Sequence, residues 1–215
     1  QFGQFTACLE KFPVGQLEET IPQFHDLALR YHQFEQAQIH GDATRIQEVK
    51  EELEYLIDHK SYLDKWLGFV QNKEAHLRVT HHDTKISNVL FKDEEAICVI
   101  DLDTTMPGYF ISDVGDMCRT CLCKVSEEEK DLNRVVVDPA KWKALEKGYL
   151  HLMQDELSNF ERDHFFYGGQ FMIYMQALRF LTDFLNGDVY YHTTYPDHNL
   201  VRTKNQIQLL KSYLL

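Results

Sequence analysis

Apolar side chains recur at three- and four-residue intervals over most of this chain, the spacing of one buried face of an α-helix. From Pro22 to about Ile39 they fall at Phe24, Leu27, Tyr31 and Phe34, and Gly41 supplies a stop signal. Ile46, Val49, Leu53, Leu56 and Ile57 repeat the pattern, and Tyr62, Trp66, Phe69 and Val70 continue it. Two antiparallel helices are expected here, with Glu48, Glu51, Glu52 and Glu54 facing solvent. The period then changes: Leu77 to Thr80, Val89 to Phe91 and Ala96 to Ile100 are short β-prone runs. Met106-Pro107-Gly108 predicts a turn, and Ser112 or Asp113 is a candidate cap for a helix reaching about Cys123. Ser126 to Asp138 is polar and charged, a predicted surface excursion. Helices resume at Pro139, with Trp142, Leu145, Tyr149 and Leu152 on one face. The longest runs from about Asp163 to Leu185, with Phe171, Tyr174, Leu178, Leu181 and Leu185 as a core stripe and Gly168-Gly169 as a close packing point. Asn199 to Leu214 closes the chain. The fold class is α+β, mostly helical with a small β insert.

That insert carries the chemistry. His81-His82-Asp83-Thr84-Lys85-Ile86-Ser87-Asn88 lies between the first two β-prone runs, and Ile100-Asp101-Leu102-Asp103 follows the third. An Asp five residues before an Asn, with another Asp at the end of the next strand, brings three oxygen ligands toward one spot. Phosphoryl transfer needs such a set: one carboxylate accepts the proton of the acceptor hydroxyl, while an amide oxygen and a second carboxylate hold the magnesium that neutralises the phosphate. Filling of a turn by His81 and His82, with Asp103 a solvated carboxylate, is the plainer alternative. It requires the spacing and the downstream strand to agree by accident.

The spacing H-x-D-x-x-x-x-N resembles that of eukaryotic-like kinases and of the aminoglycoside phosphotransferase and choline kinase group. From Val79 to Thr120, V-T-H-H-D-T-K-I-S-N-V-L-F, V-I-D-L-D-T-T-M-P-G and D-V-G-D-M-C-R-T most resemble bacterial N-acetylhexosamine 1-kinases of that superfamily. Phe2-Gly3-Gln4-Phe5 and Glu19 to His25 resemble the segment after the small lobe of those enzymes, and Arg179 to Asp183 with Gly187 to Tyr190 their sugar-pocket region. The resemblance implies a protein-kinase-like large lobe whose small β insert holds the catalytic loop. It implies Asp83 as catalytic Asp, His81 as the prop of its loop, Asn88 and Asp101 as magnesium ligands, and Lys85, by its position two after the Asp, as the ammonium that neutralises the transferring phosphate, an ordinary surface lysine being the alternative. Asp103 assists the metal or hydrogen-bonds the same network, and Asp113 and Asp116 brace the loop. Arg179 and Tyr190 become sugar-binding residues, the Arg through paired hydrogen bonds and the Tyr through a ring face. From spacing alone Arg179 precedes Asp183 by one turn, so a surface ion pair also fits. Position 82 is Gly in many antibiotic kinases and Arg in protein kinases; His82 departs from both.

Composition narrows the class. The chain has 215 residues and a formal charge of −12. It has no basic stripe of the kind that releases counterions from a nucleic acid, so nucleic acid is not an expected partner. No run approaches the roughly 18 apolar residues of a membrane span. Five cysteines, Cys8, Cys98, Cys118, Cys121 and Cys123, without a secretory segment read as reduced thiols in a cytoplasm. Cys118-x-x-Cys121-x-Cys123 lies in an apolar run and lacks a second pair, so buried structural cysteines are expected there. The eleven histidines include no H-E-x-x-H, and zinc chemistry is unsupported.

No Gly-rich loop and no strand-borne Lys with a partner Glu precede the motif. Residues 1–215 are therefore expected to be the large lobe alone, with the small lobe in a full-length parent and the fragment by itself inactive. The sequence reads as a lobe that transfers the ATP γ-phosphoryl group, with magnesium, to a sugar hydroxyl, in particular the anomeric hydroxyl of an N-acetylhexosamine. Choline, aminoglycoside or homoserine kinases share the loop and are the first alternative. A noncatalytic module derived from the fold is the second.

Overall fold

The structure, a computed structural model, describes residues 1–214 and divides the chain into two compact units. The first comprises Gln1–His25, Val70–Leu122 and Asp138–Gly169, the second Asp26–Phe69, Cys123–Val137 and Gln170–Leu215. Secondary structure is mostly helical, with two antiparallel two-stranded sheets. No helix among the described residues is long and apolar enough to cross a membrane.

In the first unit, helix α1 (Phe2–Leu9) precedes the β insert. Strands β1 (Arg78–Thr80), β2 (Val89–Lys92) and β3 (Glu95–Val99) match the three predicted runs to within two residues at either end. Met106–Gly108, expected to be a turn, is instead strand β4, paired antiparallel with β1 through Arg78↔Gly108, Val79↔Pro107 and Thr80↔Met106. A two-strand ribbon tolerates Pro107, which has no N–H to donate. The Thr80 hydroxyl adds a bond to the Met106 carbonyl at 3.1 Å. Helix α6 (Phe110–Cys121) starts earlier than expected. Tyr109 is its N-cap and makes no side-chain capping bond, and Ser112 and Asp113 lie inside the helix, buried. A Cβ on Gly168 would lie 3.4 Å from Ile111 and Val114 of α6, so that glycine does mark a close contact.

A buried ion pair ties the β insert to its surroundings. Arg78, 3% exposed, donates to Glu161 Oε1 at 2.6 Å and to Glu10 Oε2 at 3.1 Å. Glu161, wholly buried, is the third residue of the short helix α8 (Asn159–Asp163) and completes a capping box with Ser158. Its carboxylate also accepts the His76 amide at 3.0 Å. Burial alone would lower the Arg78 pKa, and the bonds to Glu161 and Glu10 more than reverse it. Helix α7 (Pro139–Leu152) begins with Pro at its first turn behind the Asp138 cap.

In the second unit the two expected helices are four: α2 (Leu27–His40), α3 (Ala43–Glu48), α4 (Lys50–Asp58) and α5 (Ser61–Gln71). Asp42 caps α3 through the amides of Thr44 and Arg45, and the buried, β-branched Val49 breaks α3 from α4 at non-helical angles. Helix α9 (Phe165–Leu185) crosses the boundary between the units' residue ranges. Phe171, Tyr174, Leu178, Leu181 and Leu185 are all fully buried, as its periodicity predicts. Trp66 stacks on Phe171 at 4.7 Å, and the Tyr174 hydroxyl donates to the Leu56 carbonyl at 2.7 Å. The predicted surface excursion, 126–138, is pinned rather than loose. Glu128 meets His198 and Arg202 of the last helix, α10 (His198–Tyr213), Val135 is 1% exposed, and Asn205 donates to the carbonyls of Ser126 and Glu129. All five cysteines are free thiols, with Cys118 and Cys123 buried.

Candidate active site

The β2–β3 hairpin sets the register of the acidic residues. Val89 pairs with Val99, and the Ile100 amide donates to the Asn88 carbonyl at 3.0 Å, so the residues entering β2 and leaving β3 run side by side. Asp101 comes next, at φ 64° in the left-handed region, which turns the chain sharply out of the strand.

At the other end of the loop, Asp83 is held by its neighbours. Lys85 Nζ donates to its Oδ2 at 2.7 Å, and Asn88 Nδ2 donates to the same oxygen and to the Asp83 carbonyl, both at 2.9 Å. Two acceptors on one side fix the Asn88 amide, because only its nitrogen can face them. Its Oδ1 is thereby turned away and accepts no bond among the described residues. Asp83 Oδ1 is likewise open. The bond to Asp83 raises the Lys85 pKa against partial burial, and the charges of Asp83, Asp101 and Asp116 add to the rise. Asp83, Lys85, Asn88 and Asp101 thus form one electrostatic group.

The loop rests on two histidines of different kinds. His81 is fully buried; its Nε2 meets the Ile100 carbonyl at 2.9 Å, and its Nδ1 accepts the Asp83 amide at 3.2 Å. Those partners assign the Nε2–H tautomer and make the ring a rivet between the end of β3 and the backbone of Asp83. Phe2 and Phe5 press on its ring at 5.2 and 5.7 Å. His82 has φ 65°, a conformation that glycine adopts freely and other residues rarely. Its Nε2 donates to Thr80 Oγ1 at 2.8 Å, and its Nδ1 lies 3.2 Å from His25 Nδ1. Gly108 gives that ring its space, since a Cβ there would fall 2.5 Å from His82 Nε2.

Burial pushes the His82 pKa down to about 4. The unfolded chain therefore binds a proton, near an ordinary pKa of 6.5, that the folded chain refuses until about pH 4. Stability should be full above pH 6.5 and fall through that window, by up to about 3 kcal/mol from this ring. His82→Gly should flatten the stability–pH curve between 6.5 and 4 in urea titrations. An unchanged slope would place the acid sensitivity elsewhere.

Asp113 and Asp116 lie behind the loop. Asp113, wholly buried, accepts the His82 amide on Oδ1 at 2.8 Å and the His81 amide on Oδ2 at 3.0 Å, while Thr84 Oγ1 donates to its carbonyl at 2.7 Å. Burial raises its pKa, the two amide bonds oppose that rise, and the charge of Asp116 adds to it. Asp116 is paired with Arg119 at 2.9 Å. Asp103 is not gathered in. Its carboxylate is exposed and makes no bond among the described residues; its backbone carbonyl accepts the Thr20 hydroxyl at 3.2 Å. Thr104, unremarked in the sequence, donates to the His81 carbonyl at 2.6 Å and closes the loop from that side.

Arg179 and Tyr190 belong to the second unit. They line a cavity of about 390 Å³ there, with the Arg179 guanidinium 5.7 Å from the Tyr190 ring centre and 5.5 Å from that of Tyr191. Arg179 donates to Gln176 Oε1 at 3.2 Å. Asp183 does not make the ion pair that spacing allowed: its oxygens accept the amides of Val189, Tyr190 and Tyr191 and the side chain of Asn199, at 2.8–3.0 Å. Buried at 4% exposure, it is the post around which the 187–191 loop turns, helped by positive φ at Gly187 and Asp188. Arg30 lines the same cavity, and nothing in its local sequence had singled it out.

The donor set suits magnesium: Asn88 Oδ1 and the Asp101 carboxylate are hard oxygens with no competing bond among the described residues. No group of three or more His, Cys, Asp or Glu side chains forms a metal cluster among the described residues. Any magnesium would therefore take phosphate and water oxygens for the rest of its shell.

Residues 1–138 match the family described as Phosphotransferase enzyme family, abbreviated APH. The fold is similar to that of a choline kinase from Cryptosporidium parvum Iowa II, with a TM-score of 0.51 and 13% identity. That alignment covers 99% of this chain and 64% of the choline kinase, and at such identity it speaks for the kinase-like fold alone. With the matched segment taking in the whole loop from His81 to Asp116, the chain belongs to the phosphotransferase enzyme family.

Proposed function

We propose that this chain is the large, C-terminal part of a small-molecule kinase that moves the ATP γ-phosphoryl group to a sugar hydroxyl, the anomeric hydroxyl of an N-acetylhexosamine. The observation that carries the transfer chemistry is the division of labour on Asp83: Oδ2 is held by Lys85 and Asn88, and Oδ1 is left open. Asp83 Oδ1 accepts the proton of the acceptor hydroxyl, and Lys85, already beside that carboxylate, offsets charge on the transferring group. Asn88 and Asp101 would hold magnesium, which when bound neutralises the phosphate oxygens. His81, Asp113 and Asp116 keep the loop in place, and Asp103 is left outside the reaction. The sugar assignment rests on the resemblance of the 179–190 region, supported by the Arg179 guanidinium and the Tyr190 ring in a cavity of small-molecule size. The transfer chemistry uses no disulfide, and a cytoplasmic setting fits the free thiols.

A kinase assay of the full-length protein over free sugars, choline and aminoglycosides tests the acceptor class; turnover of choline alone would end the sugar reading. Arg179→Lys refines it. A guanidinium that holds a sugar by two parallel hydrogen bonds is not replaced by an ammonium. The sugar KM should rise about tenfold, the scale of one charge-assisted bond of ~1.5–3 kcal/mol, with the ATP KM little changed. Equal rises in both would point to damaged folding.

A further inference from the structure

The cavity of the second unit has a charge character opposite to that of the chain. The protein carries −12 formally, yet the lining contains two guanidinium groups, Arg30 and Arg179, and one carboxylate, Asp183. That carboxylate is saturated by three backbone amides and Asn199, so its charge serves the 187–191 loop. Burial lowers the Arg30 pKa, and Arg179 lowers it further, with Tyr191, Tyr190 and Asp26 acting the other way. Arg30 also donates to Gln33 Oε1 at 2.9 Å, and an anion held in the cavity would be attracted by both guanidinium charges. The Tyr190 ring is 67% exposed and offers an apolar face.

We propose that Arg30 and Arg179 form an oxyanion subsite in this cavity, which takes a carboxylate or phosphate group carried by the sugar acceptor. This rests on the sugar-kinase reading and narrows its acceptor to an N-acetylhexosamine that itself carries a carboxylate or phosphate group. A guanidinium presents two parallel N–H donors to two oxygens of one carboxylate or phosphate, so a pair can engage the group from two sides while a sugar ring lies on the tyrosine face. A cationic acceptor meets the reverse: its charge adds to a pair that already repels.

The test is calorimetric binding to the full-length protein without nucleotide. The probes are a neutral N-acetylhexosamine, a hexuronic acid, a hexose phosphate, inorganic phosphate and choline, at about 50 and about 300 mM salt. At least one acidic sugar should bind about tenfold or more tighter than the neutral one, and its affinity should fall with salt. The uronic acid and hexose phosphate arms tell which oxyanion the subsite prefers. Arg30→Gln and Arg179→Gln should each remove the preference, while Arg30→Lys, keeping charge without the fork, should retain part of it. The salt dependence needs no variant and stands even where one fails to fold. Equal affinity for neutral and acidic sugars, insensitive to salt, would overturn the subsite and leave the sugar-kinase reading intact. Binding of choline with no sugar bound would overturn both.

Discussion

Asp83→Asn should remove most phosphoryl transfer from the full-length protein, by about 10²–10⁴-fold in kcat, the usual contribution of a positioned general base. The substitution keeps the shape and much of the hydrogen bonding. An amide oxygen at the Oδ2 position still accepts from Lys85 and Asn88, so the loop should hold and ATP affinity should change little. What disappears is the negative charge on Oδ1 and its capacity for a proton. Steady-state kinetics beside nucleotide titration separates these effects. A variant retaining half the wild-type kcat would show that Asp83 is not the base, and one that also lost nucleotide binding would assign it to holding the loop.

The largest expected loss of stability is at Arg78. Arg78→Met fills similar space but leaves the Glu161 carboxylate, fully buried, without its cation. Breaking one partner of a buried pair typically costs about 3–5 kcal/mol. In a chain of this size that is a drop of roughly 10 °C in Tm. Glu161→Gln added to Arg78→Met should recover part of the loss, since the stranded charge is then gone; recovery is incomplete because the Ser158 and His76 amides use different carboxylate oxygens and the glutamine amide keeps only one. Urea denaturation of both variants checks this. An Arg78→Met protein within about 1 kcal/mol of wild type would mean that the pair contributes specificity of packing rather than stability.

The bonding of Asp83 with Lys85 and Asn88 was legible in the sequence because its information is local. Asp83, Lys85 and Asn88 lie within one turn of each other, and Asp101 enters through a hairpin only a few residues long. Helix α9 was legible for the same reason, its period repeating over 21 residues. Contacts that depend on chain return were not. Arg78 and Glu161 are 83 positions apart, and each alone reads as a surface charge. Asp113 read as a cap from its position near a helix start, and only the family resemblance implied that it braces the loop; in the structure its carboxylate accepts the amides of His81 and His82. Arg30 sits on a helix whose apolar stripe says nothing about a cation on its other side. Asp103 follows Asp101 beyond a turn at left-handed angles, and both carboxylates are exposed.

Gly108 and His82 occupy one allotment of volume. The imidazole fills the place that a side chain at 108 would take, and the backbone at 82 has angles that a residue with no side chain accepts freely. Position 108 is nevertheless closed from two sides. A methyl group introduced there would run into the Thr80 hydroxyl as well as the His82 ring, so removing the ring at 82 would not by itself make room, and the β1–β4 ribbon holds this position to glycine whichever residue stands at 82.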